Sequence, residues 1–194
     1  MKDKLLVFLN LTTIVCCSFV AIVRLESRLS VPKAPSPVQV IAPTEAQIKE
    51  QVKHEKEETR RAKAIARATA AARAVYRQNG CDPVYSDLTG RTAYELGLSS
   101  RLLAAVVFTE SSCRASAVSG RDSIGLLQIN YRVWKQHTKQ EYLNPDINMK
   151  MGAWILYKYI QRHGLEKGLH AYNGFGNPTN EYAAKVLLAA GMTK

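Results

Sequence analysis

Three features of the 194-residue sequence predict a mainly α-helical protein. Residues 45–79 are dense in Ala, Glu, Lys and Arg, all good helix formers. Beyond residue 81, apolar side chains recur every three or four positions behind capping residues. Only the segment Ala115–Asn130 lacks that period. With 46% hydrophobic and 22% charged residues, the composition excludes a wholly disordered or collagen-like chain.

Residues 1–29 form the first segment. Leu5 to Val23 is a run of 19 residues without a charge, between Lys2 and Lys4 on one side and Arg24 and Arg28 on the other. That is long enough to cross a bilayer as a helix. It reads as an uncleaved membrane anchor or as the apolar region of a cleaved signal peptide. Residues 30–43 contain four prolines and read as an extended linker. Residues 44–80 read as a charged helical spacer. Thr44 and Gln47 make a capping box, Glu45/Lys49 and Glu57/Arg61 are i,i+4 pairs, and Gly80 is the stop. Such a helix would be a rod of roughly 50 Å. Ile48, Val52 and Ile65 are too sparse for a heptad seam, which favours a solvated spacer over a coiled coil. Its Ala-rich end, residues 62–76, is expected to dock on the globular domain C-terminal to it.

Residues 81–194 make that globular domain, large enough to bury one core. Ser99 or Ser100 caps a helix over Arg101–Ser112. Asn144 with Pro145 at the first helical position opens another, in which Ile147, Met151, Ile155 and Tyr159 share a face until Gly164 stops it. Thr179 or Asn180 starts a last helix that Gly191 ends. Between these, Gly120 and Gly125 and the alternation around Ile124 and Ile129 suggest a small β-hairpin or loop.

Lys and Arg outnumber Asp and Glu by 27 to 16, a net +11 that favours anionic surroundings such as phospholipid or cell-wall polymer. The excess is spread along the chain, with no basic block interleaved with aromatics, so nucleic acid is not an expected partner. Cys81 and Cys113 would close a loop of about 30 residues in an oxidising compartment, worth roughly 3–4 kcal/mol. The alternative is two unrelated thiols. His54, His137, His163 and His170 show no metal-ligand spacing, and neither metal nor organic cofactor is implied.

The chemistry is expected at Glu110. On its helix it follows Val107 and Val106 by three and four positions and Leu103 by seven, so its carboxyl lies along the apolar stripe. It also sits in the last turn, where the helix dipole disfavours an anion. Desolvation and dipole both raise its pKa, toward an acid that keeps its proton near neutral pH. General acid catalysis of glycosidic cleavage needs such a group.

Around it stand Glu110-Ser111-Ser112, then Gly125-Leu126-Leu127-Gln128-Ile129-Asn130. Asn144-Pro145-Asp146-Ile147-Asn148 with Gly152 comes next, and then Ala171-Tyr172-Asn173-Gly174. In order and spacing these blocks resemble the motifs of the soluble-lytic-transglycosylase-like family, peptidoglycan-cleaving enzymes with a lysozyme-like helical fold. The Ile-Gly-Leu-Leu-Gln-Ile-Asn version looks most like small members that accompany secretion, conjugation or phage-entry machinery. The resemblance covers roughly residues 82–194. It implies that Glu110 is the sole catalytic acid and base, that Ser111 orients substrate or carboxylate, and that Gln128 and the Gly125–Leu127 turn contact the glycan. It further implies that Tyr172 places its hydroxyl near Glu110 and that Asn173 braces the loop; by residue type alone, Gln128 and Asn173 read as turn residues satisfying backbone groups and Tyr172 as a core aromatic with its hydroxyl at the surface. The implied partner is the peptidoglycan strand, and the implied location is the periplasm, tethered to the inner membrane or exported. Where the family commonly has an aromatic and Asn-Pro after the Glu-Ser pair, this chain has Cys113-Arg114-Ala115, and Arg114 and Arg121 read first as solvated side chains, with contact to peptide carboxylates or acidic wall groups as the alternative. Two rival readings are a hydrolysing muramidase, with Asp122 activating water, and a glycan-binding scaffold without turnover.

Overall fold

The computed structural model describes residues 43–174 and 181–192. The anchor or signal expected at Leu5–Val23, and the linker up to residue 42, lie outside the described residues. Among the described residues, no helix is long and apolar enough to cross a membrane. From Pro43 onward the chain forms one compact unit.

The first helix, α1 (Glu45–Gln78), begins at the expected capping box: the Thr44 hydroxyl accepts from the Gln47 amide and the Gln47 side chain accepts from the Thr44 amide. Its first turns are exposed on all sides and carry short-range ion pairs such as Lys49–Glu45, each worth well under about 1 kcal/mol. Its Ala-rich end is different, because Ala72, Val75 and Tyr76 are fully buried. There α1 packs on α2 (Ser86–Leu96) and α3 (Ser100–Ser111). The Tyr76 and Thr89 hydroxyls share a buried hydrogen bond of 2.7 Å. The packing therefore runs across the junction at residues 80 and 81, and the spacer shares the core of the domain.

The helix α3 is capped by Ser99, whose hydroxyl accepts from the Leu102 amide. It runs through the core with Leu102, Leu103, Ala104, Ala105, Val106 and Val107 all buried. It ends in two consecutive left-handed residues, Ser112 and Cys113. Cys113 is joined by a disulfide to Cys81, just past the end of α1. The irregular stretch is a two-stranded antiparallel hairpin, β1 (Ser123–Ile124) and β2 (Ile129–Asn130), with Ile124 opposite Ile129. Asn144 caps α4 (Pro145–His163), accepting from the amides of Asp146 and Ile147. Two further helices complete the fold, α5 (Leu165–Asn173) and α6 (Glu181–Ala189), and α6 lies against α3.

The apolar period signals neither α2 nor α5. Each carries a glycine in its middle, which weakens a helix by roughly 1 kcal/mol relative to alanine. A Cβ on Gly90 would sit 2.5 Å from the Thr69 backbone nitrogen of α1, and one on Gly168 2.6 Å from the Ile160 Cα of α4. Both helices give up local propensity to bring two backbones together.

Candidate active site

The last turn of α3 delivers Glu110 to the edge of the core. The stripe that buries Leu103, Val106 and Val107 carries the carboxyl inward, where α6 covers it. Tyr182, the second residue of α6, is nearly fully buried and donates its hydroxyl to Glu110 Oε1 at 2.5 Å. Burial pushes the Glu110 pKa up from the usual carboxylate value to about 7, while the Tyr182 hydrogen bond and the nearby Lys185 ammonium partly oppose the rise. Burial, and next the Glu110 charge, hold the Tyr182 hydroxyl well above the ordinary phenol range, so it remains a donor at neutral pH. A carboxyl poised in this way can both give and take a proton near pH 7.

Glu110 opens into a cleft of about 500 Å³, whose wall includes Gln128, Trp134, Tyr159, Tyr172 and Asn173. The turn Gly125–Gln128, between the two strands, forms one side. Asn148 of α4, fully buried, holds this turn. Its Oδ1 accepts from the Leu127 amide at 2.8 Å, and its Nδ2 donates to the Ile124 carbonyl at 2.8 Å and the Tyr142 carbonyl at 2.9 Å. Gly125 has φ +78°, and a Cβ there would overlap Asn148 Nδ2, so both conformation and space require glycine. One turn further along α4, a Cβ on Gly152 would lie 2.5 Å from Leu127 Cβ. The glycines and Asn148 thus seat the loop against α4 and fix the far wall of the cleft.

Of the side chains singled out in the sequence, Glu110, Gln128, Tyr172 and Asn173 meet in this cleft. Their contacts differ in part from expectation. The Tyr172 hydroxyl lies near enough to Glu110 to feel its charge, and burial and then that charge hold it well above the ordinary phenol range, but it donates to the Leu127 carbonyl at 2.8 Å rather than to the carboxyl. The hydroxyl on the carboxylate is that of Tyr182, because α6 rather than α5 packs on the stripe of α3. Gln128 has φ +45°, and its Nε2 donates to the carbonyls of Gly125 and Ala117, bracing the turn it belongs to. Asn173 is exposed at the end of α5. Ser111 is not in the cleft wall: it is buried, and its hydroxyl donates back to the Val107 carbonyl at 3.0 Å within α3. Asp122 also lies outside the wall, with its carboxylate on the Arg132 guanidinium at 2.5 Å and the Tyr131 hydroxyl at 3.2 Å. Glu110 is therefore the only carboxyl in the wall among the described residues, and the sequence of residues 175–180, directly after Gly174 of the wall, holds no acid. Among the described residues, no cluster of three His, Cys, Asp or Glu side chains could hold a metal.

The transglycosylase SLT domain matches residues 87–187, slightly more than half of the chain. The chain belongs to the transglycosylase SLT domain family. The matched SLT region begins within α2 and runs into α6, so it includes Glu110, the hairpin turn, Asn148, Tyr172 and Tyr182, while all of α1 and Cys81 lie before it. Its mainly helical build, with one short hairpin, is the lysozyme-like fold of that family. A protein named endo-type membrane-bound lytic murein transglycosylase A from an Enterobacter species is 33% identical over 84 residues, covering 38% of this chain and 40% of that protein. A transglycosylase of Enterobacteria phage PRD1 is 31% identical over 105 residues, covering 50% of this chain and 40% of the phage protein. A second protein named endo-type membrane-bound lytic murein transglycosylase A, from Cronobacter sakazakii, is 30% identical over 95 residues, 43% of this chain and 46% of its own length. The matched region spans less than half the length of each of these relatives.

Proposed function

We propose that this SLT domain is a peptidoglycan lytic transglycosylase that cleaves the β-1,4 bond between N-acetylmuramic acid and N-acetylglucosamine, with Glu110 as acid and then base. The observation that carries this reading is Glu110 as the lone carboxyl of the cleft wall among the described residues, half-buried, with its pKa pushed up to about 7 and one oxygen held by Tyr182. With Oε1 occupied by the tyrosine hydroxyl, Oε2 is the oxygen that carries the transferable proton.

In the first step Glu110 protonates the glycosidic oxygen, the bond from C1 breaks, and N-acetylglucosamine leaves as the alcohol. An oxocarbenium-like centre develops at C1, and the N-acetyl group of the substrate can stabilise it, which removes the need for a second protein carboxylate. Glu110, now ionised, takes the proton of the C6 hydroxyl of the same muramic acid as that oxygen bonds to C1. A 1,6-anhydro ring closes, Glu110 is protonated again, and no water is consumed. The reacting hydroxyl belongs to the bound sugar, so proximity replaces water activation.

The position of Asp122 supports this reading over hydrolysis, since its charge is spent on Arg132 and Tyr131 outside the cleft wall. The catalytic domain would work in the periplasm, as a membrane-tethered or exported enzyme, in keeping with the two relatives named as membrane-bound. Muropeptide mass spectrometry after digestion tests the reaction. The expected product ends in anhydromuramic acid, one water or about 18 Da lighter than the hydrolysed end. Hydrolysed ends alone would refute transglycosylation. A zymogram on which wild type clears no better than Glu110→Gln would refute catalysis altogether, where a loss on the order of 10²–10⁴ is expected.

A further inference from the structure

We propose that Arg121 is a specificity determinant that reads a carboxylate on the bound glycan, an inference that rests on the wall-cleaving function proposed above. Arg121 belongs to the same cleft wall as Glu110 and is its only basic side chain among the described residues. Residues 175–180, Phe-Gly-Asn-Pro-Thr-Asn, add no charge. The cleft therefore offers one proton-transferring acid and one permanent cation.

The backbone around Arg121 is held on both sides. The Ser119 hydroxyl accepts from the amides of Arg121 and Ser123 at 3.3 and 3.1 Å, and Asn130 Nδ2 donates to the Arg121 carbonyl at 2.9 Å. The neighbouring acid that could neutralise it, Asp122, has left-handed φ of +63° and is held by Arg132 and Tyr131. Among the described residues, no ion pair uses the Arg121 guanidinium. An unpaired guanidinium presents a planar fork of donors that matches a carboxylate bidentately. Glucosamine units carry no acid, whereas muramic acid carries a lactyl group that ends either in a free carboxylate or in an acidic stem peptide. Arg121 would then select muramic-acid-containing strands over neutral N-acetylglucosamine polymers and set the register in which the bond reaches Glu110.

The test is binding to the full-length chain in the Glu110→Gln background, with three probes: muropeptide strands, the same strands stripped of stem peptide by an amidase, and a neutral N-acetylglucosamine hexamer. Arg121→Gln should raise the Kd for muropeptide strands about tenfold, the scale of one charge-assisted contact at an exposed site, and leave the hexamer unchanged. The effect should shrink in 1 M salt, where screening acts within about 3 Å. A loss that persists on stripped strands assigns the contact to the lactyl carboxylate, and a loss confined to intact strands assigns it to the stem peptide. Arg121→Lys should recover part of the affinity, and Arg162→Gln, which removes an exposed charge on α4, should change nothing. An unchanged Kd for muropeptide strands, an equal loss for the neutral hexamer, or an equal loss in Arg162→Gln would overturn the proposal. Should the wild-type chain leave peptidoglycan uncut while these affinities behave as stated, the catalytic reading fails and the carboxylate site stands.

Discussion

Replacing Glu110 by Gln should stabilise the domain above neutral pH. Unfolded, this glutamate loses its proton near pH 4.5, whereas burial in the fold raises the pKa to about 7. Between those two values the folded state binds a proton that the unfolded state lacks, so stability falls as pH rises through the window and levels off above it. A shift from 4.5 to about 7 corresponds to about 3 kcal/mol lost by pH 8.5, at 1.36 kcal/mol per unit. Gln has nearly the same shape, keeps an oxygen to accept the Tyr182 hydroxyl, and never ionises. Wild type and Glu110→Gln should therefore unfold alike at pH 4. At pH 8.5 the variant should gain about 3 kcal/mol, or roughly 6–12 °C in Tm for a domain of this size. Urea titrations at both pH values, monitored by far-UV circular dichroism, read the difference directly. Equal stability at pH 8.5, or a variant that is weaker there, would show that Glu110 is not held in a desolvating site and would remove the physical basis for its acid role.

The same contacts lead to three other outcomes. Tyr182→Phe removes the bond that lowers the Glu110 pKa, so the alkaline fall of kcat/KM, set by loss of the acid's proton, should move up by about 1–2 pH units, the scale of a hydrogen bond to a charged group; a fall that stays in place, or moves down, counts against Tyr182 as the positioning hydroxyl. Opening the Cys81–Cys113 disulfide, by Cys→Ser at both positions, should cost about 3–4 kcal/mol for a loop of this length, read as a lower urea midpoint. Gly152→Ala should weaken the enzyme more than a helix-favouring change normally would, because the new Cβ meets Leu127 and pushes the cleft turn outward; the expected signature is a raised KM with little change in far-UV circular dichroism.

The helix framework was legible where local chemistry decides it. The capping box at Thr44, the Ser99 cap and the Asn144-Pro145 start are satisfied within a few residues of chain, and each appears where the sequence puts it. The hairpin was legible for a similar reason, since Gly125 and the alternation of Ile124 with Ile129 are short-range signals. The helices α2 and α5 were not, because the residues that make them useful, Gly90 and Gly168, argue against helix locally and find their reason only in Thr69 and Ile160, on other helices. The Ala-rich end of α1 belongs between these cases: small side chains announce close packing without naming the partner.

The site divides along the same line. Glu110 could be found because its burial is a property of one helix stripe, and a carboxyl on such a stripe must either be neutral or be paired. The residue that pairs with it could not be found in that way. Tyr172 and Tyr182 are both tyrosines in C-terminal helices, both are largely withdrawn from water, and both need a partner for a buried hydroxyl. Which of them reaches Glu110 depends on the packing of α6 against α3, a relation between segments about 70 positions apart that no local pattern encodes. The order matters for chemistry. The Tyr172 hydroxyl holds the Leu127 carbonyl and so braces the cleft turn, and the Tyr182 hydroxyl holds the Glu110 carboxyl. Separating these two tasks lets the loop be anchored without adding a second donor to Glu110, which would lower its pKa further.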